Sequence, residues 1–181
     1  MNRAFLRIAP LAILILALHA LPATAQSERP THLIQISLLA AAKSGPNELA
    51  DLPQNTRQAI EDVRQFLPFK SYRLLDTALM RTDRVARTML TGPDNREFRA
   101  ELSLAPSGSE LMVRHFELVE KVELPAPLIA GGGDTGGPVS PASKQVLSSS
   151  FAAAIGQTVV VGTSRLNGGD EALVVLFTAL P

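Results

Sequence analysis

Hydrophobic and polar residues alternate with a period of two along most of the chain, a pattern typical of β-strands. In residues 32–43, for example, Ile34, Ile36 and Leu38 alternate with Gln35 and Ser37. The same alternation recurs in residues 71–82, 85–91, 98–104, 110–120 and 144–151. Glycine, proline and asparagine residues separate most of these segments. The pattern therefore predicts a meander of antiparallel strands.

Two of these segments predict which side chains face the core. In residues 98–104 every second residue is apolar, so four side chains should point inward: Phe98, Ala100, Leu102 and Leu104. In residues 71–82 strict alternation divides the apolar side chains between two faces. Tyr72 and Leu74 lie on one face, and the other holds Leu75, Thr77 and Leu79.

One segment, residues 51–67, follows a helical period instead. Its apolar residues recur at spacings of three and four, at Ala59, Ile60, Val63, Phe66 and Leu67. Asp51 is placed to cap a helix and Pro53 is tolerated in the first turn, while Pro68 ends the pattern. We expect one amphipathic helix of about three to four turns here.

The last stretch, residues 156–181, predicts a β-hairpin. Two apolar, β-branched runs flank Asn167 and Gly168, a pair that favours a two-residue hairpin turn. Such a turn would place Arg165 opposite Asp170, and Val161 opposite Val174. Both runs are apolar on both faces, which is typical of strands in the interior of a protein.

A single short helix can cover only one face of this hairpin. The other face must then meet a second sheet, a loop or a binding partner. If a partner covers it, the hairpin residues that bind it are Val160, Val175 and Phe177. Residues 124–143 hold four prolines and five glycines without apolar periodicity, which indicates a loop.

These elements predict an α+β fold that is mostly β. We expect an antiparallel sheet or sandwich of about eight strands with one amphipathic helix. Residues 26–181 have the length of a single domain, interrupted by the glycine- and proline-rich loop at residues 124–143. The chain has no cysteine, so this domain must be held together by its apolar core.

The N-terminus has the pattern of an export signal. Arg3 and Arg7 precede an apolar run at residues 8–18, and Ala23-Thr24-Ala25 is a small-residue cleavage pattern. We expect residues 1–25 to be a signal peptide and the mature chain to be periplasmic or secreted. The apolar run is shorter than the roughly 20 residues of a transmembrane helix, so no membrane span is expected after cleavage.

Charge is distributed unevenly along the mature chain. Removing the two leader arginines leaves 17 − 2 = 15 basic residues against 17 acidic ones, a net charge of −2. Residues 64–99 nevertheless hold eight basic and four acidic residues. This excess predicts either the solvated face of alternating strands or a surface for an anionic partner, in which Arg73 and Arg81 are candidates. Near-neutral charge and one tyrosine without tryptophan argue against nucleic-acid binding.

Three motif matches lack the sequence context that their functions require. Residues 131–136 satisfy the dinucleotide-binding glycine pattern, but no helical pattern follows. Within them, residues 134–136 match the aspartic-protease triplet without the rigid apolar setting that it needs. Residues 162–165 begin a nucleophile elbow, but Leu166 replaces its second glycine. His32 and His115 have no metal-ligand spacing, so no catalytic, cofactor-binding or metal residue is predicted.

Two resemblances add to this picture. Residues 156–162, Gly-Gln-Thr-Val-Val-Val-Gly, resemble a hairpin of the β-domain of bacterial secretins, the outer-membrane rings of secretion systems. The match covers about ten residues and lacks the long strands of a channel. Residues 66–76 and 162–173 are similar to uncharacterised exported proteins of Gram-negative bacteria. This second resemblance covers most of the mature chain and implies export without naming an activity.

The sequence therefore favours an exported envelope protein that binds another protein or assists an assembly. A secretin-type system is one such assembly, and self-association is a further hypothesis. No cofactor is predicted. The alternative is a periplasmic hydrolase whose site combines residues distant in sequence. Whether the protein is an enzyme stays open, although nothing local in the sequence supports catalysis.

Overall fold

The computed structural model describes residues 31–107, 110–122, 142–166 and 170–181. They form a mostly β fold of eight antiparallel strands and one α-helix, which confirms the predicted fold class. The strands are β1 (His32–Ala42), β2 (Ser71–Thr82), β3 (Val85–Thr91), β4 (Glu97–Ser107), β5 (Glu110–Val122), β6 (Ala142–Ala154), β7 (Thr158–Arg165) and β8 (Glu171–Leu180). The helix is α1 (Gln54–Val63).

The strands form two four-stranded sheets. Sheet A has the order β2-β1-β8-β7, and sheet B has the order β3-β4-β5-β6. Consecutive strands pair within each sheet, and β8 returns to pair with β1. The predicted meander is therefore confirmed within the sheets, but it is interrupted at the β2–β3 and β6–β7 connections, where the chain passes from one sheet to the other.

The inner faces of the two sheets pack together as a sandwich with one continuous apolar core. The four residues predicted to face inward from β4 are all buried, as expected from their alternation: Phe98, Ala100, Leu102 and Leu104. Phe151 bridges the two sheets, because its ring lies 6.3 Å from that of Phe116 and 5.2 Å from that of Phe177. Such tilted and edge-on pairs stabilise aromatic cores.

A second core lies on the outer face of sheet A, under α1. Ile60 of the helix is fully buried there together with Leu39, Tyr72 and Val174. Consequently β8 is buried on both faces, with Val174 under the helix and Val175 between the sheets. The terminal strand, which is apolar on both faces, is interior as predicted. The elements that pack on its two faces both belong to this same chain.

The register of the terminal hairpin differs from the prediction. Arg165 lies opposite Ala172 rather than Asp170, and Thr163 rather than Val161 lies opposite Val174. The last pair is closed by the amide of Leu166, which donates to the carbonyl of Glu171 at 3.0 Å. The predicted register, in which Arg165 faces Asp170, is therefore wrong. The proposed turn residues Asn167 and Gly168 lie outside the described part of the chain.

The helix also begins and ends differently from the prediction. Asp51 does not cap it. That residue lies in a separate 3₁₀ turn (Leu49–Asp51), and Pro53 precedes the first helical residue. At the other end the chain tightens into a second 3₁₀ turn (Arg64–Phe66), which changes the direction of the side chains. Phe66, expected on the buried face, is consequently 77% exposed.

A β-bulge in β2 redistributes its side chains. The pairing with β1 shifts between Leu38 and Leu39, so that Leu75 is an extra residue on β2. Leu75 packs into the sandwich core, but beyond the bulge Ala78 and Met80 face inward, so Thr77 and Leu79 do not share the face of Leu75 as predicted. The predicted face of Leu79 is therefore wrong, and this side chain is 64% exposed.

The two crossings between the sheets are closed by specific contacts. At the β2–β3 crossing the Asp76 carboxylate accepts a hydrogen bond of 2.7 Å from the backbone amide of Thr91. At the β6–β7 crossing Gly162 leaves room for Leu147, whose Cδ1 would lie 2.7 Å from an added Cβ.

Strand β6 begins at Ala142, so the last two residues of the predicted 124–143 loop are strand. The rest of that segment and residues 1–25 are outside the described chain.

Candidate functional site

The five residues predicted to bind a partner do not lie together. Val175 and Phe177 are 1% and 0% exposed in the sandwich core, and Val160 is half-buried against the cluster under α1. A partner could reach the first two only if the sheets separated. By contrast Arg73 and Arg81 are exposed on β2, the edge strand of sheet A.

The same edge carries exposed apolar side chains. Leu74 is 37% exposed and Leu79 is 64% exposed on β2, and Val85 is 56% exposed at the start of β3. We call Leu74, Leu79, Arg81 and Val85 the edge strip; Arg73 is paired with Ala40 on the other side of the bulge and faces the opposite side of sheet A. Three of the seven large apolar side chains that are exposed in the described residues belong to it. Large apolar residues on an accessible edge are typical of interaction surfaces when charged residues accompany them.

The turn between β2 and β3 holds the two strands of the edge strip together. The hydroxyl of Thr82 donates to the carbonyl of Val85 at 2.9 Å and accepts from the amide of Arg84 at 3.2 Å. Sequence alternation did predict that the arginines are solvated. It missed the exposure of Leu79, because the bulge that turns this residue outward has no signal in the apolar pattern.

The strip has a basic character. Arg81 and Arg84 are exposed along it. Of the two nearby acids, Asp76 is engaged by the backbone amide of Thr91, and Asp83 is half-buried. An exposed edge with two arginines and apolar side chains is suited to an acidic, partly apolar partner surface.

Charged side chains on the outer face of sheet B form pairs across neighbouring strands. Arg87 contacts Glu101 at 2.8 Å, and Lys121 contacts Glu97 at 2.8 Å. The hydrogen bond from Arg87 holds the pKa of the Glu101 carboxyl below its usual range, and burial opposes this effect. A concavity of about 480 Å³ lies over this face, lined by Met89, Glu97, Arg99, Val119, Lys121, Ala142 and Ser143.

One ion pair closes the end of the sandwich core. Arg96 Nε donates to the Glu120 carboxylate at 2.5 Å, and the Arg96 guanidinium lies 5.7 Å from the centre of the Phe98 ring. Glu120 is only 7% exposed, and its position opposite Phe98 turns it toward the core. Pairing with Arg96 therefore satisfies a carboxylate that burial would otherwise penalise.

Among the described residues neither a metal-binding cluster nor the partial elbow motif is formed. No group of three histidine, cysteine or acidic side chains that could hold a metal ion occurs in them. His115 is exposed on β5 and lies 3.9 Å from Glu117. Ser164 lies within strand β7 rather than at a sharp turn, so the partial elbow motif does not form an elbow. The two glycine-rich motif matches at residues 131–136 fall outside the described chain.

No helix within these residues is long and apolar enough to cross a membrane. Comparison with protein families, curated proteins and solved structures finds no match for this chain.

Proposed function

We propose that this chain is an exported envelope protein that acts by binding another protein through the edge strip. The observation that carries the proposal is the exposure of Leu74, Leu79 and Val85 beside Arg81 on adjoining strands. Export is supported by the signal pattern of residues 1–25.

Burial of the three apolar side chains supplies part of the binding energy. Full burial of a leucine or valine contributes about 1.5–3 kcal/mol, and these side chains are already partly covered, so each contributes about 1 kcal/mol. Arginine adds bidentate hydrogen bonds to partner carboxylates and is enriched at interfaces. Apolar contacts of this size with flanking charges fit a specific but reversible complex.

The partner is a different, acidic protein rather than a second copy of this chain. In a symmetric dimer through the edge strip, the exposed arginines of the two copies would face each other. Like charges across an interface oppose association, while an acidic surface is attracted and accelerates encounter. A component of an outer-membrane assembly, such as the secretin-type systems suggested by residues 156–162, is one partner of this kind.

The experiment measures the partner that co-purifies with the tagged mature chain from envelope extract. Arg81→Glu and Leu79→Ser should each reduce its recovery about 10-fold or more, because one reverses a charge and the other removes apolar contact. The control is Arg165→Glu, which reverses the charge of an exposed arginine on β7, at the opposite edge of sheet A. Thermal unfolding of every variant should stay close to that of the native chain.

Salt provides the second arm of this experiment. Since the attraction between an arginine-rich strip and an acidic surface is screened by ions, recovery should fall as ionic strength rises. A partner that is retained equally by the native chain, Arg81→Glu and Leu79→Ser does not bind the edge strip. Loss of the partner in Arg165→Glu alone would place the interface at the other edge and overturn the proposal.

A further inference from the structure

The concavity on sheet B is lined by apolar and charged side chains, and Arg99 lies between two of the apolar ones. Arg99 on β4 lies directly opposite Met89 on β3 in the strand register, and directly opposite Val119 on β5. The guanidinium is therefore flanked by apolar side chains on both neighbouring strands. At about 480 Å³ the concavity has the size of a site for a small molecule.

The carboxylates next to Arg99 on this face are already paired with other basic side chains. Glu97 and Glu101, two residues before and after it on β4, are bound by Lys121 and Arg87, each at 2.8 Å. Glu117 of β5 lies 3.9 Å from His115 instead. Among the described residues no carboxylate lies within ion-pair distance of Arg99.

We propose that this concavity binds a small monoanionic acid with an apolar tail. Its carboxylate would pair with the Arg99 guanidinium, whose planar fork suits two parallel hydrogen bonds. The tail would lie over Met89 and Val119, which are 50% and 8% exposed. The hydroxyl of Ser143, at the rim of the concavity, can donate to the same carboxylate.

The surrounding charges restrict the ligand to one negative charge. Lys121 is engaged by Glu97, so Arg99 is the cation available to a ligand. Glu97 and Glu101 stand on either side of Arg99 along the strand and would repel a phosphate dianion or a polyanion. An uncharged apolar molecule would leave the guanidinium partly desolvated without a partner, which is unfavourable.

This proposal is independent of the edge strip, which contains neither Arg99 nor Val119. The acid-binding proposal and the partner-binding proposal can therefore be refuted separately. A chain without acid binding could still retain its partner protein, and Arg81→Glu should release the partner without changing acid binding.

Octanoate is the probe, titrated into the isotope-labelled mature chain and followed by NMR of the backbone amides. We expect saturable binding with the largest shifts at residues 89, 99 and 119. Arg99→Gln should weaken the affinity about 10-fold or more, because a charge-assisted bidentate pair is lost. Arg81→Gln, an exposed arginine outside the concavity, is the matched control and should bind octanoate like the native chain.

Two further ligands separate the contributions of charge and tail. Octanol has the tail without the charge, and acetate has the charge without the tail, so each should bind at least about 10-fold more weakly than octanoate. Met89→Glu keeps the fold, because position 89 is half exposed, and should also weaken octanoate by giving Arg99 an internal counter-ion.

Several results would overturn the proposal. Octanol that binds as tightly as octanoate would show that Arg99 takes no part. Equal affinity of Arg99→Gln and the native chain, shifts that map to another surface, or the absence of saturation would do the same. An acetylated peptide with a free C-terminal leucine that binds more tightly than octanoate would assign the site to protein C-termini instead.

Discussion

At the scale of residues, Tyr72 reports directly on the core under α1. It is fully buried, and its hydroxyl donates to the carbonyl of Phe69 at a long 3.4 Å. Burial raises the pKa of Tyr72 above its usual value, because the charged tyrosinate loses hydration, and the positive charge of Arg64 opposes this in part. The chain has one tyrosine and no tryptophan, so its ultraviolet titration is free of overlap.

We predict that Tyr72 ionises above the range of an exposed tyrosine, together with loss of structure. The folded-state pKa is raised above that of the unfolded chain, so the contribution to stability is complete below the unfolded pKa. It is lost as pH rises through the folded pKa. Absorbance of tyrosinate and far-ultraviolet circular dichroism should therefore change over the same alkaline interval. Ionisation at an ordinary pKa with the fold intact would contradict the burial of this side chain.

At the scale of elements, β8 is packed on both faces. Side chains of sheet B pack on one face and α1 packs on the other. Val174 and Val175 are 0% and 1% exposed on these opposite faces. We predict that Val174→Asp and Val175→Asp each prevent folding, because either one buries a carboxylate without a partner. Circular dichroism and thermal unfolding of the purified variants test this prediction.

Thr163→Asp, at an exposed position on β7, is the control for these two substitutions and should fold normally. A folded, monomeric Val175→Asp chain would show that the inner face of β8 is open to a partner. That result would also restore Val175 and Phe177 as candidate binding residues.

The elements that sequence alone predicted are those in which alternation is uninterrupted. The inward residues of β4, from Phe98 to Leu104, follow directly from hydrophobic periodicity. The side of Leu79 could not be predicted, because a bulge at Leu75 depends on how β2 pairs with β1. The burial predicted for Phe66 was wrong for a similar reason, since the α-helix changes to a 3₁₀ turn before the apolar pattern ends.

The candidate sites were predictable to a smaller degree. Exposure of Arg73 and Arg81 follows from the polar positions of β2. The isolation of Arg99 does not, because it depends on which cations lie across β4 from Glu97 and Glu101. Those partners are set by the registers of β3 and β5, and a hydrophobic pattern does not specify the charges that face each other.

At the scale of the whole molecule, the proposed export would place the edge strip in the cell envelope. We predict that the native protein begins at Gln26 and is released from the periplasm without detergent, because residues 1–25 have the pattern of a cleaved signal. N-terminal sequencing of the cell-derived protein checks the cleavage site. Material that retains Met1, or that is recovered only with detergent, would contradict this prediction.

We propose that the edge strip, and not the terminal hairpin, contacts a partner in the cell envelope. Photo-crosslinking in living cells tests it most directly, with a photoreactive amino acid placed at position 79 on β2 or at position 163 on β7. Both native side chains are exposed, so neither replacement should disturb the fold. We predict a discrete crosslinked product of higher mass from position 79 and none from position 163. Equal products at both positions, or a product from position 163 alone, would contradict the claim.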